Sequence, residues 1–203
     1  MTMLDFNQTK FLKSASRVTE LPQDDVPEVA FVGRSNAGKS SALNTLTKQK
    51  KLARTSKTPG RTQLLNCFQI NDCAHIIDLP GYGFANVSKS QQSNWEKMMT
   101  QYLYERKQLE GIVIVMDCRH PLTSLDLNML GWCKDQKIPT HLLLTKADKF
   151  SRSQQNQTLF NIQKHPVLIE MHNVTLQLFS SSNGLGLDTL ANQLSLWLNQ
   201  SNN

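Results

Sequence analysis

Gly33-Arg-Ser-Asn-Ala-Gly-Lys-Ser40 is a complete G-x-x-x-x-G-K-S phosphate loop, and it follows directly on an apolar, strand-like run, Val29-Ala-Phe-Val32. Between a strand and a helix, the backbone N–H groups of such a loop wrap the phosphates of a nucleoside triphosphate, and the positive end of the helix adds to them. Gly33 and Gly38 let the backbone come close, Lys39 is expected to reach the β- and γ-phosphates, and Ser40 is expected to ligate Mg²⁺. A glycine-bearing turn ahead of an ordinary helix would not need all four fixed positions.

Outward from the loop, apolar runs alternate with amphipathic segments in the order of an α/β sheet covered by helices on both faces. Strands are expected at 28–33, 63–70, 73–78, 111–117, 139–145 and 174–179, giving a mostly parallel six-stranded sheet. Gly111-Ile-Val-Ile-Val-Met116 and His141-Leu-Leu-Leu144 are continuously apolar, which suits central parallel strands buried on both sides. Ser93-x-x-Glu96 reads as a capping box opening a helix over 93–108, with Trp95, Met98, Met99, Tyr102 and Leu103 on its inner stripe. The stretch from 122 carries Leu125, Met129, Trp132 and Cys133 on one face, and the last helix carries Leu187, Leu190, Ala191, Leu194 and Trp197. These stripes are expected to be core. Residues 1–27 are expected to be an N-terminal extension, 28–199 the nucleotide-binding domain and 200–203 a tail, with exposed loops at 50–62 and 81–92.

With 203 residues, 39% of them hydrophobic, the chain can form one domain burying ~70% of its unfolded surface. No apolar run reaches transmembrane length, and Met1-Thr-Met-Leu-Asp5 lacks a basic stretch leading into an apolar one, so neither membrane insertion nor secretion is expected. Gln200-Ser-Asn-Asn203 has no prenylation cysteine, and the start has no myristoylation glycine. Cys67, Cys73, Cys118 and Cys133 show no C-x-x-C spacing, which argues for reduced thiols in a cytoplasmic protein rather than a zinc site. The formal charge is +6, and Lys48, Lys50, Lys51, Arg54, Lys57 and Arg61 fall within fourteen residues that hold no acid. Such a loop beside a bound nucleotide can grip a phosphate backbone through counterion release. It can equally be a solvated loop, since nothing aromatic is interleaved for base stacking.

Three further motifs point to a guanine nucleotide. Asp78-Leu79-Pro80-Gly81 follows the strand run Cys73–Ile77, where an aspartate can hold Mg²⁺ through water and the Gly81 N–H can sense the γ-phosphate. Thr145-Lys146-Ala147-Asp148 closes the strand at 139–145, and the Asp148 carboxylate is suited to accept the ring N–H and exocyclic amine of guanine together. Adenine lacks that paired donor edge. Ser180-Ser181-Ser182, ending the last strand, can present a backbone N–H to the guanine carbonyl. Each motif alone has a plain reading as a cap, a turn or a loop. Taken in order they sit at the strand ends where open α/β sheets bind ligands.

On these motifs the chain resembles the translation-factor-related GTPases, and specifically the EngB (YihA/YsxC) family of bacterial ribosome-assembly GTPases, over roughly residues 10–199. The resemblance rests on Gly33–Ser40 with Asn36 at its fourth position, Thr58-Pro-Gly-Arg-Thr-Gln63, Asp78-Leu-Pro-Gly-Tyr-Gly83, Thr145-Lys-Ala-Asp148 and Phe179-Ser-Ser-Ser182. It implies a three-layer, Ras-like P-loop GTPase fold. The implied GTP/GDP site comprises Gly33, Arg34, Ser35, Asn36, Ala37, Gly38, Lys39 and Ser40, then Gly60, Arg61, Thr62, Gln63 and Leu64 as the first switch. Asp78, Leu79, Pro80 and Gly81 follow, then Thr145, Lys146, Ala147 and Asp148, and finally Phe179, Ser180 and Ser181. Mg²⁺ is expected on Ser40 and Thr62, with Asp78 acting through water, and Thr58 competes with Thr62 for that role.

Tyr82 stands where many regulatory GTPases use glutamine to orient the attacking water. Intrinsic hydrolysis is therefore expected to be slow, assisted by a partner or by K⁺, for which Asn36 is the implied ligand beside Lys39. Thr145 stands where asparagine is usual and is expected to loosen the base loop, while Asp148 keeps guanine selectivity. The implied role is nucleotide-dependent assembly of the large ribosomal subunit, needed for growth, division and septation. A cytoplasmic monomer would touch ribosomal RNA of the subunit or its precursor through the basic switch loop Lys48–Arg61. Two rivals stay open: a GTP-dependent switch with a protein partner, and a P-loop kinase acting on a small metabolite.

Overall fold

In the computed structural model, which describes residues 4–53, 64–83 and 88–200, the β-branched and aromatic runs pair into a seven-stranded sheet. The strands are β1 Lys10–Ala15, β2 Glu28–Gly33, β3 Leu65–Ile70, β4 Ala74–Asp78, β5 Leu109–Asp117, β6 Thr140–Thr145 and β7 Val174–Leu178. Their order is β1-β3-β4-β2-β5-β6-β7. β4, β2, β5, β6 and β7 run parallel, whereas β3 is antiparallel to β4 and β1 antiparallel to β3. The expectation of six strands is corrected to seven, because β1 lies within the stretch read as an extension. Lys10-Phe-Leu-Lys-Ser-Ala15 shows no alternation, since an edge strand held mainly through backbone pairing to β3 leaves all but Ala15 exposed.

Helices cover both faces: α1 Lys39–Leu46, α2 Lys89–Glu105, α3 Ser124–Asp135, α4 Arg152–Gln163, the short α5 Pro166–Ile169 and α6 Leu187–Gln200. The period-2 pleat sorts β2 between two cores. Val29 and Phe31 pack with Leu43 of α1 and Leu194 and Trp197 of α6, while Ala30 and Val32 pack with Met99 and Tyr102 of α2 and Met129 of α3. Among the described residues, no helix is long and apolar enough to cross a membrane.

The start of α2 differs from expectation. Its N-cap is Ser88, whose hydroxyl accepts from the Gln91 N–H while the Gln91 side chain accepts from the Ser88 N–H. Ser93-x-x-Glu96 thus lies inside the helix, and residues 89–92, expected in a loop, form its exposed first turn. Both segments satisfy the S-x-x-Q/E box, and the earlier one prevails because it extends the helix by a polar turn at no burial cost. α2 also stops at Glu105 rather than at 108. There Arg106 turns inward and forks onto the buried Glu28, with Nη2–Oε2 at 2.6 Å and Nε–Oε1 at 3.0 Å, while Tyr102 Oη donates to Glu28 Oε1 at 2.7 Å. The end of α2 is thereby tied to the first residue of β2, the strand that leads to the phosphate loop.

Candidate nucleotide site

The phosphate loop leaves β2 in close contact with β5: a Cβ on Gly33 would lie 2.5 Å from the Val115 carbonyl oxygen, so only glycine fits. Asn36 (φ 63°) and Gly38 (φ 102°) take left-handed backbone that curls the loop into a cradle ahead of Lys39 and Ser40 in the first turn of α1. The Ala37 N–H closes it on the Arg34 carbonyl at 3.0 Å.

Asp78-Leu-Pro-Gly81 continues from β4 along the same edge. Ser35 N–H donates to Tyr82 O at 2.9 Å and Tyr82 N–H donates to Gly33 O at 3.2 Å, a short parallel bridge that holds Gly81 against the loop. The largely buried Lys39 ammonium forms an ion pair with Asp78 Oδ1, and Asn66 Nδ2 approaches Asp78 Oδ2 at 3.5 Å. A carboxylate, a hydroxyl-bearing helix turn and a lysine at one helix N-terminus are the donor set that a hard divalent cation and phosphate oxygens share, so these residues fit Mg²⁺ with a triphosphate. Leu79 is fully buried beneath the segment, and Pro80 O accepts from Trp95 Nε1 of α2 at 3.0 Å.

The Tyr82 side chain points away from the loop. Its hydroxyl donates to Asp126 Oδ1 at 2.6 Å and its ring meets Trp95 edge-on, with centroids 5.8 Å apart. Burial, then the Asp126 carboxylate, push the phenol well above its ordinary pKa, so Tyr82 stays protonated and engaged with α3.

The base-reading segments lie beside the cradle and are wired into it. Thr145 Oγ1, at the end of β6, donates to the Ala37 carbonyl of the phosphate loop and lies 3.0 Å from Met116 O on β5. This corrects the expectation that threonine loosens the base loop: the hydroxyl bridges loop and sheet. Lys146 (φ 60°) sends Nζ to Asn36 O at 2.8 Å and to Asp117 Oδ2 at 2.9 Å. Ala147 N–H donates to Phe179 O at 3.1 Å, joining the segment to the buried Phe179 that precedes the serines. Asp148 Oδ1 accepts from Ser180 Oγ at 2.6 Å and Oδ2 lies 3.2 Å from Lys149 Nζ. The Ser180 hydroxyl, chiefly, holds the Asp148 carboxyl below the usual carboxylate range. Of the serine run, the Ser180 N–H is engaged by Leu185 O and the Ser182 N–H by Ser180 Oγ, with Ser181 exposed between them.

Sequence reasoning missed Asp117, which closes β5. Arg119 reaches it through its N–H (3.0 Å) and Nε (2.9 Å) on Oδ1 and Nη2 (2.6 Å) on Oδ2, the oxygen that also accepts from Lys146. Burial pushes the Asp117 carboxyl up, but the hydrogen bonds from Arg119 and Lys146 outweigh it and hold the group well below the usual range. Its one signal was position: an aspartate ending the apolar run 111–116, level with Thr145 on β6. Gln155 of α4 was missed too; it donates to Ala147 O at 2.8 Å and to Phe150 O at 3.2 Å. Leu64, just before β3, is partly buried. Thr58, Gly60, Arg61, Thr62 and Gln63 lie outside the described residues, as do Arg54 and Lys57 of the basic loop.

The geometry has counterparts among known proteins. A family profile described as "50S ribosome-binding GTPase" matches residues 28–146. A probable GTP-binding protein EngB from Vibrio parahaemolyticus is 49% identical over 194 residues, covering 96% of this chain and 88% of the relative. A crystal structure of a probable GTP-binding protein EngB superposes with a TM-score of 0.66 at 24% identity, covering 85% of this chain and 99% of that one. Era, in complex with MgGDPNP and nucleotides 1506–1542 of 16S ribosomal RNA, superposes at 0.62 with 24% identity, covering 85% of this chain and 56% of Era.

Proposed function

Because the chain belongs to the EngB family of GTP-binding proteins, we propose that it is a slow GTPase whose nucleotide state governs assembly of the large ribosomal subunit. The observation that carries this reading is the wiring of the base-reading segment into the phosphate cradle through Thr145 and Lys146. One rigid edge can then grip both ends of a guanine nucleotide, with Asp148 on the guanine donors, Ser181 N–H on its carbonyl, and Lys39 and the loop amides on the phosphates. On binding, Lys39 would exchange the Asp78 carboxylate for the β- and γ-phosphates. Ser40, Asp78 through water, and Thr62 would hold Mg²⁺, which would offset the negative charge of the phosphates.

Hydrolysis is then positioning and charge neutralisation. Tyr82 contributes no water-orienting group, because its hydroxyl is committed to Asp126. The exposed Asn36 side chain, beside a carbonyl already engaged by Lys146, is the candidate ligand for a K⁺ that would supply the missing charge. The γ-phosphate would order the segments around Thr62 and Gly81, and its loss would relax them. The basic run Lys48–Arg61 joins that switch to ribosomal RNA, a reading supported by the profile's description and by Era's RNA complex. Cytoplasmic location, a monomeric state and a requirement in growth, division and septation belong to the same proposal, with the domain taken to reach N-terminally past 28 to include β1.

Co-sedimentation tests the proposal. Large subunits or their precursors should pellet the chain when it carries a non-hydrolysable GTP analogue and release it with GDP. Equal recovery in both states would overturn the nucleotide control, and recovery in neither would overturn the ribosomal role and favour a protein partner.

A further inference from the structure

Two buried polar side chains, His141 of β6 and Gln177 of β7, lead to one carbonyl at the far end of the loop that carries the serine run. The strands pair His141 with Thr175 and Leu143 with Gln177, which brings the imidazole and the amide within reach of each other. The Gln177 amide nitrogen donates to Gly186 O at 2.7 Å and to Leu178 O at 3.2 Å. With both its hydrogens on carbonyls, the amide turns its oxygen to His141 Nε2, 3.0 Å away, so that nitrogen carries the imidazole proton. Nδ1 is then an acceptor and takes the Thr175 hydroxyl at 2.7 Å. Burial lowers the imidazole pKa to about 4, so the ring is neutral near pH 7 and keeps that tautomer.

The loop is fastened at both ends. At its start, Phe179 N–H donates to Leu144 O at 2.8 Å and Phe179 O accepts from Ala147 N–H at 3.1 Å, which joins it by backbone to the base-reading segment. At its end the chain turns through Gly186 (φ 77°) into α6, and a Cβ there would lie 2.3 Å from Leu178 O and 2.5 Å from the Gln177 amide nitrogen. This second fastening depends on a side chain. Packing alone would be met at 177 by an apolar residue, without the cost of burying an amide. A glutamine with both N–H groups committed instead fixes how far Gly186 stands from β7, and with it the course of Ser180 to Ser182.

We propose that Gln177 is a positioning residue for guanine recognition: by clasping Gly186 O it holds the loop 179–186 so that the Ser181 N–H meets the guanine carbonyl. The inference rests on the guanine reading of Asp148 and Ser181 above and adds the side chain that sets the second contact. Its effect is the same for GDP and GTP, because the γ-phosphate lies at the other end of the site.

Competition binding on the full chain tests this with GDP and 6-thio-GDP. Both offer the same donor edge to Asp148, but the sulfur at position 6 accepts a hydrogen bond more weakly than oxygen. The wild type should prefer GDP. Gln177→Met, of similar length but without a donor, should weaken GDP about fivefold and 6-thio-GDP by less than about twofold, the scale of one hydrogen bond. Gly186→Ala breaks the same contact from the loop side, because its Cβ would displace the amide, and should narrow the preference likewise. A variant at 177 that weakens both nucleotides alike, or that keeps the full preference for GDP, would overturn the positioning role and leave the guanine reading standing. A wild type that binds the two nucleotides equally would overturn the Ser181 contact itself, and the proposal with it.

Discussion

Asp117 illustrates how one side chain serves two ends of the site. Its carboxylate fixes Lys146, whose ammonium also holds the Asn36 carbonyl, so the base loop and the phosphate loop share a single charged hinge pin. Asp117→Asn keeps the shape but replaces ion pairs with weaker hydrogen bonds from the same cations to a neutral amide, a loss of about 1–2 kcal/mol. A five- to thirtyfold rise in Kd is expected, equal for GDP and GTP because the pin does not touch the γ-phosphate; stopped-flow release of a fluorescent GDP checks it. An unchanged release rate would show that Lys146 is held elsewhere. The folded carboxyl lies below its ordinary range, so this contribution is present above the usual carboxylate pKa and lost only as the pH falls through the depressed value. None of this was legible beforehand, since a lone aspartate after an apolar run gains meaning only when β6 sets Thr145 beside it.

At the scale of elements, β2 and α2 are joined through Glu28, Arg106 and Tyr102, all buried. Arg106→Met would leave the Glu28 carboxylate buried with a single hydroxyl partner, at a cost of about 3–5 kcal/mol. Urea unfolding should report that loss, and adding Glu28→Gln should recover part of it; a shift under about 1 kcal/mol would contradict the coupling. The strands that carry the site were readable because their apolar runs are continuous, β-branched in Ile112-Val-Ile-Val115 and leucine-rich in Leu142-Leu-Leu144. β1 was not, because an edge strand with Lys10 and Lys13 exposed and only Ala15 buried has no apolar face to imprint on its sequence. The α2 boundary was misplaced because Ser88-x-x-Gln91 and Ser93-x-x-Glu96 carry the same local signal, and the earlier box adds an exposed polar turn to the helix.

At the scale of the whole molecule, the sheet brings residues 33–40, 78–82, 145–148 and 179–182 to the ends of neighbouring strands. The motifs were legible one by one, but their mutual hydrogen bonds were not, since those depend on strand order. The central claim is that these segments form a single guanine-nucleotide site with Lys39 at its phosphate end and Asp148 at its base end. Competition binding of GTP, ATP and XTP to the wild type and to Asp148→Asn measures that claim directly. Strong preference for GTP in the wild type, shifting to XTP in the variant because the amide offers a donor to the xanthine carbonyl, is the predicted result; equal affinity of the wild type for ATP and GTP would contradict it.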